Sequence, residues 1–301
     1  MDYFWKNMWL ILKKFMIEFF ACLGIIATIN EVIKLFITIE DKQSIIMNSI
    51  LISVSVLIVV IRSIPKKEFV FKIKNKDIYI RIVIGDILKQ KDTIIVPTNS
   101  TFDTMMEQEF ISIKSLQGQI QSKYFNNNIN TLDSLMTAQL KSIKYNKLTD
   151  RKLTKNREYE IGTTIKINYS QRRFYFLANS NINSNGQTIN PSMKQITEAL
   201  SRLWQYISIN GHCENLAIPL IGTGRMGIVN SREEVIKQII FSFIASSCEK
   251  KVAPELKIYI RSEDIKKHNI NMNEILEYLY YTSKYQYEMI EKSDNIGTGI
   301  I

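Results

Sequence analysis

Cysteine and histidine are scarce in this 301-residue chain: three cysteines (Cys22, Cys213, Cys248) and two histidines (His212, His268). No CxxC pair, HExxH motif or Cys–Cys–His spacing occurs, so the sequence offers no zinc site and no metal is expected. An odd cysteine count at this length argues against a disulfide framework, and the thiols read as isolated and reduced. All five prolines fall at or after Pro65, so nothing interrupts helices before it. Glycine is sparse too, eleven in all, and three of them fall within residues 222–227. With 46% hydrophobic and 23% charged residues, disorder, collagen and coiled-coil rods are excluded. The net charge of +10 is unevenly placed: residues 1–64 carry six bases and five acids, which leaves +9 for the rest. Such a balance permits nucleic-acid binding, but it equally suits a domain held against an anionic membrane face. With net charge its sole support, no nucleic-acid partner is expected.

What the first part does contain is apolar length. Ser44–Ile61 is free of charge, proline and glycine over eighteen residues, about 27 Å of helix and close to the hydrocarbon thickness of a bilayer. A weaker run surrounds Phe19–Asn30; a span over about residues 16–37 places Glu18 near one interface and Glu31 and Lys34 near the other. Tyr3, Trp5 and Trp9 stand where an interfacial aromatic belt belongs. A buried core helix and a cleaved signal peptide are the competing readings, and no Ala-x-Ala cleavage site follows. With Lys6, Lys13 and Lys14 before the pair and Arg62, Lys66 and Lys67 after it, the positive-inside rule puts both ends in the cytoplasm. The expectation is a transmembrane helical hairpin over residues 1–64, with spans of about 16–37 and 44–62, followed by a cytosolic domain over 65–301. That makes a multi-pass protein of the bacterial inner membrane, in contact with lipid.

From Phe69 on, strand and helix patterns alternate. Strands are expected over 69–74, 77–84, 93–97, 160–168, 172–178, 215–220 and 256–260, with turns at Asn75-Lys76 and Tyr169-Ser170. Helices are expected over about 106–124, 192–210, 231–249 and 272–291. Asn126–Asn130 and Asn179–Gly186 read as loops, and 131–157 resists assignment. The interleaving implies an α/β fold with a central sheet.

The glycines mark the candidate chemistry. Gly222-Thr223-Gly224-Arg225-Met226-Gly227 follows the strand ending at Pro219-Leu220 and leads into a helix. Its backbone N–H groups could approach a phosphate there; a tight strand-to-helix turn is the alternative. The position is wrong for a dinucleotide fingerprint and no Lys-Ser/Thr follows for a P-loop. Gly85-Asp86-Ile87 makes a second strand-end corner, and Thr98-Asn99-Ser100 ends the next strand in polar groups. Together with Pro219-Leu220-Ile221-Gly222-Thr223-Gly224, this order resembles the macro domain, a three-layer α/β/α module with a central mixed sheet. With the N-terminal hairpin added, the chain resembles the membrane-anchored macro-domain effectors of Thoeris anti-phage defence. Ser115–Gln119 and Tyr159–Thr164 resemble that branch as well.

The resemblance implies an ADP-ribose-derived ligand and no other cofactor. It assigns Gly85, Asp86 and Ile87 to the adenine end, with Asp86 accepting from the adenine amino group; a plain helix N-cap is the other reading. Gly222, Thr223, Gly224, Arg225, Met226 and Gly227 would wrap the diphosphate and distal ribose, with Leu220 and Ile221 before them also in the ligand-binding set, although Arg225 also fits a solvent-facing arginine. Asn99, Ser100 and Thr101 take the place of the family's first ligand loop. Asn179, Ser180 and Asn181 line the distal end or cap loops. Hydrolytic macro domains carry a glycine-rich run after the asparagine loop, whereas residues 100–106 here contain no glycine, and no Ser-His-Asp or Cys-His set replaces it. Binding without catalysis is therefore expected, with a membrane-tethered ADP-ribosyl hydrolase as the alternative. The resemblance further implies a signal made by a TIR-domain partner, ADP-ribose joined to histidine, and homo-oligomeric hairpins that disrupt the membrane and abort infection.

Overall fold

The computed structural model describes residues 2–34, 41–63, 66–106, 111–126, 128–149, 155–183, 188–222 and 231–286. The chain divides into two compact units, Met1–Lys66 and Lys67–Ile301.

The first unit is a pair of helices, α1 (Asp2–Lys34) and α2 (Asp41–Ser63). They are joined across their interface by Asn30 Nδ2 donating to Asn48 Oδ1 at 2.9 Å, with Ser55 and Val59 fully buried. Elsewhere the apolar side chains face outward: Ile17, Phe20, Ile25 and Ile29 are 54–64% exposed. Among the described residues, Met16–Ile33 is long and apolar enough to cross a membrane, while Ile46–Ile61 is shorter. The helix α2 itself runs from Asp41 to Ser63 and contains the whole uncharged run Ser44–Ile61.

The second unit is an α/β fold around a seven-stranded mixed sheet. Its strands are β1 (Glu68–Lys72), β2 (Tyr79–Ile84), β3 (Thr93–Asn99), β6 (Thr164–Tyr169), β7 (Arg172–Ser180), β8 (Leu216–Pro219) and β9 (Glu255–Ile260), ordered β1-β2-β9-β8-β3-β7-β6. The five inner strands run parallel, and the edge strands β1 and β6 run antiparallel to their neighbours. A separate two-stranded ladder pairs β4 (Asn146–Lys147) with β5 (Arg157–Glu158). The β6–β7 hairpin turns on Ser170 and Gln171, both at positive φ (47° and 58°), the backbone that matches strand twist in a two-residue turn.

Both faces of the sheet are covered. Ile95, Tyr175, Leu177, Ile218 and Ile258 pack against α5 (Met193–Asn210), α6 (Arg232–Glu249) and α8 (Met272–Tyr281). On the opposite face Ile94, Val96, Phe174, Phe176 and Ala217 pack against α3 (Leu116–Phe125) and α4 (Ile129–Leu140). Alternate residues of one strand feed different cores, which explains the near-continuous apolar runs of β3 and β7. A short helix, α7 (Ser262–Lys267), follows β9.

Three expectations need correction. The helix expected over 106–124 begins only at Leu116. Ser115 caps it by accepting from Gly118 N, and a Cβ on Gly118 would lie 2.4 Å from the Ser112 carbonyl oxygen, so the incoming chain lies against that turn. The asparagine loop at 126–130 is instead a helix junction: Asn126 ends α3 in the left-handed region, and Asn128 caps α4 by accepting from Thr131 N. The last expected helix ends at Tyr281 and passes into a π-turn over Thr282–Gln286; residues 287–291 lie outside those described.

Candidate functional site

In an open parallel sheet, ligands sit beyond the carboxyl ends of strands where successive connections leave to opposite faces. The chain leaves β3 toward the α3–α4 face and leaves β8, its neighbour, toward the α6 face. The switch point therefore lies at the ends of β3 and β8, flanked by the ends of β7 on one side and β9 and β2 on the other. The sequence-predicted loops, 85–87, 99–101, 179–181 and 220–222, all emerge at this rim.

At the β2 end, Gly85 N donates to the Ile260 carbonyl at 3.0 Å, which joins this corner to the end of β9. The exposed Asp86 caps a 3-10 turn, its Oδ1 accepting from Leu88 N at 2.9 Å. The capping reading is thus realised, and it uses one carboxylate oxygen. Ile87 is buried with Leu88 in the core below.

At the β3 end the polar groups close on one another. Asn99 Oδ1 accepts from Asp103 N and from Thr101 Oγ1, each at 3.1 Å, and Asn99 Nδ2 donates to Asp103 Oδ2 at 3.1 Å. The single Thr101 hydroxyl proton is shared with Asp103 Oδ2, the nearer acceptor at 2.7 Å, and all three residues are at most 3% exposed. The loop is clamped from outside: Gln117 and Gln121 of α3 donate to the carbonyls of Asp103 and Thr104, both at 2.7 Å, and Lys155 Nζ donates to the Phe102 carbonyl at 2.7 Å. Ser100 N donates to the Ser180 carbonyl at 2.8 Å, and its hydroxyl donates to Glu158 Oε1 at 3.1 Å. These clamps were not foreseen. Their sequence signal was the pair of glutamines four residues apart, which share one face of α3.

Asn179 links the two loops of the switch point. With its amide set so that donor meets acceptor, Nδ2 donates to the Thr98 carbonyl at 2.8 Å and Oδ1 accepts from Gly222 N at 3.3 Å. Gly222 stands at φ +70°, where a side chain would be strained. Asn179 thus ties the first glycine of the 222–227 segment to the end of β3. Ser180 is buried beside it, and Asn181 opens a small hairpin through its carbonyl, which accepts from Ile189 N at 2.8 Å. Leu220 and Ile221 are core residues packed with α6. Thr223, Gly224, Arg225, Met226 and Gly227 lie outside the described residues.

Beyond that segment α6 starts at Arg232 with Ser231 as its cap. Burial pushes the Arg232 guanidinium below its ordinary value against the opposing pull of Asp264 and Glu233, and its Nε has no hydrogen-bond partner among the described residues. No group of His, Cys, Asp and Glu among the described residues could hold a metal ion.

At the opposite end of the sheet a buried charge cluster supports the scaffold. Glu214 Oε1 accepts from the Tyr175 hydroxyl at 2.8 Å and from Lys166 Nζ at 3.1 Å, and Oε2 accepts from His212 N at 2.6 Å. Burial disfavours the Glu214 charge, but the Tyr175 hydroxyl, the backbone amides of Glu214 and His212, and Lys166 outweigh it and hold its pKa at about 2.

No curated protein matches the chain. Among solved structures, a point variant of the Oceanobacillus iheyensis macrodomain is similar at 16% identity and a TM-score of 0.49, covering 71% of this chain and 98% of that one. The same macrodomain with ADP is similar at 14% identity and a TM-score of 0.47, covering 70% and 97%. An Alphavirus P23pro-zbd structure is similar at 13% identity and a TM-score of 0.36, covering 66% and 23%. The family model described as the macro domain of the Thoeris protein ThsA matches residues 80–261, more than half of the chain. The chain belongs to the family of Thoeris ThsA proteins with a macro domain.

Proposed function

We propose that the C-terminal unit binds an ADP-ribose-derived signal along the carboxyl ends of its parallel strands and does not turn it over. The observation that carries this reading is the line of Asp86, Gly222, Asn179 and the 99–101 loop across β2, β9, β8, β3 and β7. Four strand spacings of about 4.8 Å make that line about 19 Å long, an elongated seat suited to two nucleoside-like ends joined by a diphosphate. Asp86 would meet the adenine amino group with the carboxylate oxygen that its cap leaves over. The glycines of the 222–227 segment, whose start Asn179 anchors, would let backbone approach the diphosphate.

Absence of turnover is supported by the closed loop at β3. Hydrolysis needs a group within hydrogen-bond reach of an attacking water, and the side chains of Asn99, Thr101 and Asp103 are buried and spent on one another. In this reading the ligand is the histidine conjugate of ADP-ribose made by a TIR-domain partner. Residues 1–64 then act as a multi-pass hairpin of the bacterial inner membrane, with both termini cytoplasmic, that assembles on ligand binding and breaches the bilayer. Ligand must favour the assembled state by differential affinity, because equal binding to both states shifts nothing.

The test uses the full-length chain in dye-loaded vesicles, with parallel incubation against ADP-ribosylated protein. Ligand-dependent leakage that rises faster than linearly with protein density, with no release of ADP-ribose, is the expected result. Catalytic release at substoichiometric protein would replace the proposal with the hydrolase reading.

A further inference from the structure

We propose that the edge strand β1 pairs with β1 of a second copy, antiparallel about Val70, and so joins two seven-stranded sheets. The inference stands apart from the ligand reading; it rests on the backbone and charge pattern of Glu68-Phe69-Val70-Phe71-Lys72.

The hydrogen-bond register fixes which groups face outward. Ile84 N donates to the Lys67 carbonyl and Ile73 N to the Ile78 carbonyl. Residues 67, 69, 71 and 73 are therefore the hydrogen-bonded positions toward β2, and alternation turns the N–H and C=O groups of Glu68, Val70 and Lys72 away from it. Among the described residues none of these outward groups has a backbone partner. The next outward residue, Lys74, donates to the Ser283 carbonyl at 3.0 Å and closes the edge there. Val70, at the centre, is 47% exposed.

Open edges are ordinarily blunted by proline, bulges or charges that repel a neighbouring strand. β1 has no proline and no bulge, and its two charges do the opposite. A two-fold axis through Val70 sets Glu68 against Lys72 of the second copy, Phe69 against Phe71, Val70 against Val70, and Lys72 against Glu68. Both terminal pairs are then of opposite sign, a favourable cross-strand arrangement, while like charges directly opposite are unfavourable. Five residues bury less than the roughly 1,200 Å² of a stable interface. The pairing is therefore weak between dilute chains and grows with local concentration. Because β1 begins five residues after α2 ends, each β1 pair tethers two copies of the N-terminal helices to one junction.

The experiment is disulfide trapping in the full-length chain with Cys22→Ala, Cys213→Ala and Cys248→Ala as background. Hydrogen-bonded antiparallel partners stand about 5.5 Å apart at Cα, inside the range a disulfide spans. Val70→Cys is expected to form a covalent dimer under mild oxidation, in a yield rising with protein concentration, while Ile113→Cys, at a more exposed position (63%), does not. Mixing Glu68→Cys chains with Lys72→Cys chains is expected to give a cross-linked pair that neither forms alone, which reports the register without a change at Val70. On the Val70→Cys background, Glu68→Lys or Lys72→Glu alone is expected to lower the yield several-fold, and the double exchange to restore it. The contact of Glu68 with Arg81 in its own chain, 2.9 Å, is not restored by the double exchange, so rescue reads the contact between copies. A Val70→Cys yield no higher than that of Ile113→Cys, equal cross-linking of mixed and unmixed chains, or no rescue would overturn the proposal.

Discussion

Replacing Glu214 by Gln tests the scaffold's electrostatics with a defined pH signature. The carboxylate is 4% exposed and its partner Lys166 is 12% exposed, so neither charge is screened by bulk water. Its pKa in the fold is about 2, against an ordinary 4.5. A depressed carboxylate contributes stability that is fully present above the unfolded value, near pH 4.5, and is lost as pH falls toward 2. The difference of about 2.5 pH units corresponds to about 3 kcal/mol at neutral pH. Glu214→Gln keeps an acceptor for the Tyr175 hydroxyl but leaves the Lys166 ammonium buried without its counter-charge, and breaking such pairs costs about 3–5 kcal/mol. Urea unfolding of the full-length chain in detergent is expected to show a deficit of about 3 kcal/mol at pH 7, shrinking to about half at pH 3. A deficit below about 0.5 kcal/mol at pH 7, or one that does not shrink on acidification, would refute the reasoning.

Further consequences follow from the site. Asn179→Ala leaves the Thr98 carbonyl and the Gly222 amide without their partner, and affinity for ADP-ribose is expected to fall by about ten- to a hundred-fold in calorimetry, at about 1.4 kcal/mol per decade. Asp86→Ala is expected to cost about 1.5–3 kcal/mol of binding for an adenine ligand and less for its hypoxanthine analogue; equal losses would reduce Asp86 to a cap. Gly118→Ala drives a Cβ to 2.4 Å from the Ser112 carbonyl oxygen, so the thermal midpoint is expected to drop by several degrees for about 1–3 kcal/mol of overpacking. An unchanged midpoint would show that the 112–113 backbone yields freely.

The layered architecture was legible because its signals are local. Apolar runs of strand length alternate with helical periods, and Asn75 and Ser170 sit at turns where left-handed backbone is needed. The rim loops were legible for the same reason, since a glycine or polar corner directly after a strand is a short-range pattern. What escaped reading depends on distance along the chain. Glu214 meets Lys166 and Tyr175 across 48 and 39 residues, and no spacing rule connects them. Asn126 and Asn128 looked like loop residues because the same side chains that favour loops also cap helices. The closure of Asn99 onto Asp103 was missed for a further reason: a polar strand end looks identical in sequence whether its groups face a ligand or each other.

The central claim is that the rim from Asp86 to Gly222 and Asn179 is a seat for an ADP-ribose derivative. Calorimetric titration of the full-length chain in detergent with ADP-ribose, its histidine conjugate and NAD addresses it most directly. The account predicts one site per chain, tightest for the histidine conjugate, measurable for ADP-ribose, weakest for NAD, and only mildly dependent on salt. No heat with any of the three, or an affinity that falls steeply with salt and is indifferent to the adenine end, would contradict it.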